Sequence, residues 1–237
     1  MSMTIVTGAS GLVGYRIMEQ LAGQGECLGL YHRQKPDVDW GSWREVDLCS
    51  RQEIWQVLEE ARPEVIIHSA ASCDPVWCER NPAETFSLNL GGTRYLTEWA
   101  SKHNAFLVHI STDLVFDGTR GGYREGDQVR PISVYGWSKL AAEETVRASG
   151  AAHAIVRTAL VYGKTLSGMR GCEEKLLQKW RLGEKTPLFT DEIRTPTSAL
   201  ELAEKIVEIA RRRLCGLLHV AGKECLSRYQ EKQLLHT

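Results

Sequence analysis

Tyr135 and Lys139 stand four residues apart near the start of a helical pattern, so they share one face, a single turn from each other. A free phenol titrates near ~10 and exchanges protons poorly at neutral pH. A nearby ammonium, joined by a positively charged oxidised nicotinamide, is expected to pull that pKa down. Such a tyrosine can give a proton to a carbonyl oxygen as hydride reaches the carbon, and take one back in reverse. A YxxxK pair alone is also an ordinary helix-surface pair. Its place in the chain lifts it above that: it follows an apolar run, Phe106 to Ile110, that ends in Ser111-Thr112-Asp113. Ligands sit at the carboxyl ends of strands in open α/β sheets, so the Thr112 hydroxyl should point into the same crevice.

A second feature supplies the partner for that chemistry. The first apolar run leads into Thr7-Gly8-Ala9-Ser10-Gly11-Leu12-Val13-Gly14 and then into a helix. A glycine-rich turn there lets the backbone approach a pyrophosphate and aims free N–H groups at it. Gly8, Ser10, Gly11, Leu12 and Val13 are the expected phosphate-side residues, and Gly14 lets the helix pack tightly. Three glycines are a weak signal alone and a strong one at the first turn of a βαβ unit. After the second strand comes Tyr31-His32-Arg33-Gln34-Lys35, with no acid before Asp37. An acid would bind a ribose 2′-hydroxyl, whereas cations suit a 2′-phosphate. Arg33, with His32 or Lys35, is the candidate, and NADP(H) is favoured over NAD(H). A solvated loop residue is the alternative for Arg33.

These groups need a scaffold, and the rhythm of the chain supplies one. Strands are expected at Thr4–Thr7, Cys27–Tyr31, Arg44–Asp47, Val65–Ile67, Phe106–Ile110 and Ala154–Arg157. Val13, Ile17 and Leu21 form one helical stripe. Ser50 with Glu53 makes a capping box for a helix that Pro63 stops. Asn81-Pro82-Ala83-Glu84 reads as the start of a helix reaching about Lys102, and another begins near Val134. Repeated βαβ units imply an α/β fold, a Rossmann-type doubly wound parallel sheet. The expected division is a dinucleotide-binding domain over 1–160, joined by 195–220, and a small substrate lobe over 161–237. In the latter part, Glu173–Leu182 looks helical and Pro187–Phe189 extended. Ser198 with Glu201 caps a helix to about Leu214, Leu217–Val220 is a strand, and a brief helix ends the chain.

Composition narrows the partners. Of 237 residues, 29 are Lys or Arg and 30 Asp or Glu, a net charge of -1 that offers nothing to nucleic acid or an anionic membrane. Arg211-Arg212-Arg213 falls at a helix end, where it meets the negative pole of the dipole. Seven scattered cysteines suit reduced thiols better than a disulfide framework, and Cys73 with Cys78 lacks the second pair a zinc site needs. His68, His109, His153 and His219 lie in or beside apolar runs without ligand spacing, as satisfied core histidines do. No metal is expected. Trp40, Trp43, Trp77 and Trp99 default to packing. The N-terminus lacks a basic region and a long apolar stretch, so a cytoplasmic, soluble protein is the expectation. A homodimer is one assembly it could form.

Several motifs together resemble the extended short-chain dehydrogenase/reductases, and within them the dTDP-4-dehydrorhamnose reductase branch. They are TGASGLVG (Thr7–Gly14), HSAA (His68–Ala71), STDLVFDG (Ser111–Gly118), YGWSK (Tyr135–Lys139), RTPTSALELA (Arg194–Ala203) and HVAGKECLSRY (His219–Tyr229). STDLVFDG is close to a signature of that branch, and the likeness covers nearly the whole chain. The resemblance implies a reductase of a nucleotide-linked keto sugar. Thr112 would orient the carbonyl, Tyr135 would be the acid, and Lys139 would hold the cofactor ribose and tune Tyr135. It also implies that Asp47 and Leu48 lie near the adenine and that Ala70 and Ala71 line the cofactor channel. Asn89 would be the asparagine of the long helix, and Arg194 a substrate-side residue. A guanidinium suits a diphosphate there; an exposed loop cation is the alternative.

Two departures from the branch stand out. Val76 replaces an acid many relatives carry, and the chain stops eight residues after Tyr229, which suggests a shortened substrate lobe. Three functions therefore remain in view: a keto-sugar-nucleotide reductase, an epimerase or dehydratase of the same fold, and a cofactor-binding regulatory subunit without turnover. The last is similar to the regulatory subunit of methionine adenosyltransferase. Asp113 could serve a dehydratase, but it also belongs to the reductase signature.

Overall fold

The computed structural model describes residues 3–166 and 172–233. Seven parallel strands form its central sheet: β1 (Thr4–Thr7), β2 (Cys27–Tyr31), β3 (Ser42–Glu45), β4 (Val65–His68), β5 (Phe106–Thr112), β6 (His153–Thr158) and, late in the chain, β10 (Gly216–Val220). Their order is β10-β6-β5-β4-β1-β2-β3. The chain runs outward from β1 to β2 and β3, then crosses back to β4 on the other side. That reversal opens a crevice at the carboxyl ends of β1 and β4, where a Rossmann-type sheet receives its ligand.

Both sheet faces are buried, so the strands read as continuous apolar runs rather than alternating ones. On one face, Val6, Ile67, Val108, Ile110 and Val156 meet Ile17, Met18 and Leu21 of α1 (Leu12–Leu21) and Leu202, Ile206 and Val207 of α8 (Ala199–Arg212). The opposite face sets Ile5, Leu30, Ile66, Leu107 and Ile155 against Ile54, Val57 and Leu58 of α2 (Arg51–Ala61). It also buries Leu96 and Trp99 of α5 (Thr93–His103) and Val146 of α6 (Val134–Ala148). Ser50 caps α2 and Ser198 caps α8, each accepting the N–H of the glutamate three residues on. Arg62, left-handed at φ 46°, ends α2 before Pro63.

The helix expected from Asn81 to Lys102 is built differently. A separate turn, α3 (Pro75–Arg80), precedes it, capped by the carboxylate of Asp74 on Trp77 N–H at 3.0 Å. Then come α4 (Pro82–Phe86), a π-helical stretch over Ser87–Gly92, and α5. The Asn81 side chain does not cap; its amide donates to Trp77 O at 2.8 Å, closing α3 instead. The π stretch surrounds Asn89, whose amide holds the loop after β4 through Ser72 N–H (2.8 Å) and Ser72 C=O (3.0 Å). Short π-helical stretches within α-helices are rare and occur mostly at functional sites.

Beyond β6, the pair β7 (Val161–Tyr162) with β9 (Thr197–Ser198) and the pair β8 (Ile193–Arg194) with β11 (Leu226–Ser227) make two small sheets. The flanking helices are α7 (Cys172–Arg181) and α9 (Arg228–Gln233). Pro187–Phe189, expected to be extended, joins no strand, and the third strand ends two residues before Asp47. The ending Leu234–Thr237 lies outside the described residues. No helix among the described residues is long and apolar enough to cross a membrane.

Candidate active site

The glycine turn closes the crevice with almost no clearance. Gly8 has φ +63°, and a Cβ on it would lie 2.7 Å from the Ala70 backbone. A Cβ on Gly14 would meet Gly8 O at 2.3 Å, so α1 can start against the turn only with glycine there. Gly11 is the N-cap residue of α1 and makes no side-chain cap bond. The first N–H groups of a ten-residue helix thus point toward the crevice, as an anion cradle requires. Ser10, Leu12 and Val13 are half-buried around it, and Ala70 and Ala71 line the end of β4. Leu48 is buried beside the π stretch, where a Cβ on Gly92 would come 3.1 Å from its carbonyl oxygen. Asp47 caps the turn before α2 by accepting Cys49 N–H at 2.9 Å. His32 and Arg33 stand exposed after β2.

Thr112, Tyr135 and Lys139 converge on the carboxyl end of β5. Thr112 is the last residue of that strand and caps a 3-10 turn over Asp113–Val115, accepting Leu114 N–H at 3.2 Å. Ser133 caps α6, so Tyr135 lies in the first helical turn and Lys139 in the next. Gly136 lets α6 press on the 3-10 turn: a Cβ there would be 2.3 Å from Leu114 O. That contact brings the Tyr135 hydroxyl to its hydrogen-bonding neighbour, Thr112.

The electrostatics correct the expectation for Tyr135. Its pKa is raised, not lowered, chiefly by loss of water around the phenol and then by the Cys73 thiol; Thr112 opposes the rise. Lys139 does not activate it in the protein alone, because its Nζ turns to His109 Nε2 at 3.2 Å. Burial brings Lys139 down to about 8, with Glu143 pulling the other way. A raised pKa makes this phenol a weaker acid than a free one, so proton donation from it needs a cation brought close.

Other expectations shift too. Arg194 reaches the site, but its guanidinium forks onto Asp113, with Nε to Oδ2 at 3.0 Å and Nη2 to Oδ1 at 2.7 Å. The fork expected for a diphosphate is therefore already engaged. His68 is a satisfied core histidine, bonded to Thr7 Oγ1 (2.7 Å) and Thr93 Oγ1 (3.0 Å), and burial takes it down to about 3. His109 and His219 each keep one buried ring nitrogen without a hydrogen-bond partner among the described residues, contrary to that reading. Sequence reasoning also missed the buried carboxylate of Glu143. It accepts from Arg157 (2.9 and 2.7 Å), Arg147 (2.6 Å) and Ser111 (2.5 Å). The signal available was its i, i+4 spacing from Lys139 on the same helix face.

Comparison with known proteins places this geometry. The RmlD substrate binding domain model matches residues 2–235. The chain belongs to that family. It is 33% identical over 226 residues to the probable low-salt glycan biosynthesis reductase Agl14 of Haloferax volcanii, covering 94% of this chain and 75% of that protein. The crystal structure of dTDP-4-dehydrorhamnose reductase from Bacillus anthracis in complex with NADP superposes with a TM-score of 0.85. It is 28% identical and is matched over 99% of this chain and 80% of that one. Methionine adenosyltransferase 2 subunit beta of Rattus norvegicus is also similar, at 28% identity over 95% of this chain and 69% of that protein. In this RmlD-family chain, the glycine turn follows β1 and Thr112 ends β5, with Tyr135 in the first turn of α6 and Lys139 buried one turn further on.

Proposed function

We propose that this chain is an NADP(H)-dependent reductase of a 4-keto sugar nucleotide. The observation that carries the reading is the meeting of a protonated Tyr135 with Thr112 at the mouth of a crevice whose other wall is a phosphate cradle. The cradle suits a dinucleotide because Gly8 and Gly14 let the turn pack directly on Ala70 and on the start of α1, leaving the first N–H groups of that helix to face a phosphate. NADPH, when bound, supplies the hydride. Tyr135 gives its hydroxyl proton to the substrate oxygen and is protonated again before the next turnover. Thr112 orients the same oxygen, held by its bond from Leu114 N–H. Lys139 carries the positive charge that steadies the phenolate left behind, and Arg33 favours a 2′-phosphate.

Asp113 bears on the choice between chemistries. A dehydratase needs an acid beside the threonine, whereas this carboxylate already accepts both arms of Arg194. That favours the reductase over the dehydratase. The similarity to a methionine adenosyltransferase subunit supports a second reading, a nucleotide-binding regulatory subunit. The test is NADPH oxidation with a panel of 4-keto sugar nucleotides, comparing the wild type with Tyr135→Phe. Turnover abolished in the variant supports the reductase. Turnover that persists there removes Tyr135 as the acid, and tight NADPH binding with no turnover on any substrate moves the assignment to the regulatory subunit.

A further inference from the structure

Lys139 is 2% exposed, and burying its ammonium is costly unless that charge is paired. Glu143, one turn along, is the obvious counterion, but its two oxygens are taken by Arg157, Arg147 and Ser111. Among the described residues, the side chain within hydrogen-bonding distance of Nζ is His109, its Nε2 at 3.2 Å. An ammonium only donates, so Nε2 must accept and the ring proton must sit on Nδ1. That Nδ1 is buried without a hydrogen-bond partner among the described residues. His109 thus leaves one polar group unsatisfied while serving Lys139. Such an exception calls for a reason.

The imidazole is also hard to move. The His68 ring lies 5.3 Å from it, itself fixed between Thr7 and Thr93. The groups facing this pair come from four directions. They are His68 of β4, Cys73 in the loop after it, Glu143 and Arg147 of α6, and His153 of β6. Burial, followed by the charge of Lys139, keeps His109 neutral far below the usual histidine range, so Nε2 stays an acceptor at working pH.

We propose that His109 is a positioning residue for the proton-transfer pair: its Nε2 receives the Lys139 ammonium, fixing where that cation stands and how firmly it keeps its proton. The inference rests on Lys139 serving Tyr135, as proposed above. It predicts that an acceptor at the Nε2 position, not an imidazole as such, is what Lys139 needs.

The experiment titrates Lys139 by NMR of 13Cε-labelled lysines in the cofactor-free protein, with the signal assigned from Lys139→Met. Wild type, His109→Phe, His109→Leu and His109→Gln are compared, the glutamine amide oxygen standing near where Nε2 was. Loss of the acceptor should lower the Lys139 midpoint by about one unit or more, the scale of one charge-assisted hydrogen bond. His109→Gln should restore most of it, and the alkaline limb of kcat should follow the same order with KM for the keto substrate little changed. An unmoved midpoint in whichever of the phenylalanine or leucine variants folds would overturn the inference. So would equal shifts in Gln and Leu, which would mean packing alone. Because the titration needs no turnover, an inactive wild type with the expected midpoints would sink the reductase reading while leaving the His109–Lys139 link standing.

Discussion

Arg194 lays both arms of its guanidinium across the carboxylate of Asp113, the residue that follows Thr112. Arg194 sits on β8, which pairs with β11, so this one ion pair ties the late part of the chain to the turn that Thr112 caps. The same Asp113 Oδ1 lies 3.3 Å from Thr112 Oγ1, so whatever holds the carboxylate also biases the hydroxyl.

Replacing Arg194 with lysine keeps the charge and loses the fork. We expect kcat to fall by roughly ten- to a hundred-fold in Arg194→Lys, the range for one charged hydrogen bond, with NADPH affinity unchanged. Asp113→Asn should give a similar loss. The double variant should lose little more than either single one, a non-additivity that a double-mutant cycle on kcat would reveal. Fully additive losses would show that the two residues act separately.

Gly136 sets the distance between α6 and the 3-10 turn. In Gly136→Ala the new methyl would collide with Leu114 O, forcing the helix start away from Thr112. Turnover should drop at least about ten-fold, as expected when positioned groups move by a fraction of an ångström. Melting temperature should fall as well, and a crystal structure of the variant would show Tyr135 displaced.

How much of this was legible beforehand follows from the range of each interaction. The alternating apolar runs and helical stripes, the glycine turn and the capped starts of α2 and α8 depend on neighbours in sequence, and they could be read there; the parallel sheet followed from their alternation. α3 was readable too, from Asp74-Pro75, but was overlooked. The π stretch was not, because it answers a contact between Asn89 and Ser72 across 17 positions. The same holds for the site. Tyr135 and Lys139 follow from helical spacing, whereas Arg194–Asp113 spans 81 positions and His109–Lys139 spans 30. The direction of the Tyr135 shift is not legible there, because spacing places a cation on the same face without showing how far burial strips water from the phenol.

Glu143 and Arg157 form a buried pair at 2.7–2.9 Å, with both side chains almost fully enclosed. Truncating one partner leaves an uncompensated charge, so Glu143→Ala should cost on the order of 3–5 kcal/mol in urea unfolding. Changing both at once, to Glu143→Leu with Arg157→Met, should cost much less. A double variant as unstable as the single one would mean that the hydrogen bonds to Ser111 and Arg147, rather than the pair, hold α6 to the sheet.

Arg33 offers the test of cofactor choice. It is exposed, so removing it should leave the fold intact. In Arg33→Ser the affinity for NADPH should drop by about ten-fold or more while that for NADH stays level, since only the former has a 2′-phosphate for a guanidinium to hold. Fluorescence titration of the two cofactors measures the ratio directly. Equal affinities in the wild type would remove Arg33 from the phosphate site.

The buried histidines give the protein a pH dependence with a defined sign. His68 has a folded pKa of about 3, against an ordinary 6.5 in the unfolded chain. Between those values the unfolded state binds the proton and the folded state does not, so stability is full above about 6.5 and is lost as pH falls toward 3. Each unit of separation is worth roughly 1.4 kcal/mol, and His109, also depressed, acts in the same direction. Lys139, brought down to about 8, has the same sign in a higher window: its contribution is present above the unfolded value near 10.5 and lost as pH falls through 8. Urea melts at pH 7, 6, 5 and 4 should therefore show a steady decline in unfolding free energy. In His68→Gln, less stable at neutral pH because the Thr7 and Thr93 bonds are weakened, the slope between pH 6.5 and 4 should be shallower. An identical slope in the variant would mean that His68 does not take up its proton on unfolding, and that the acid sensitivity belongs to other groups.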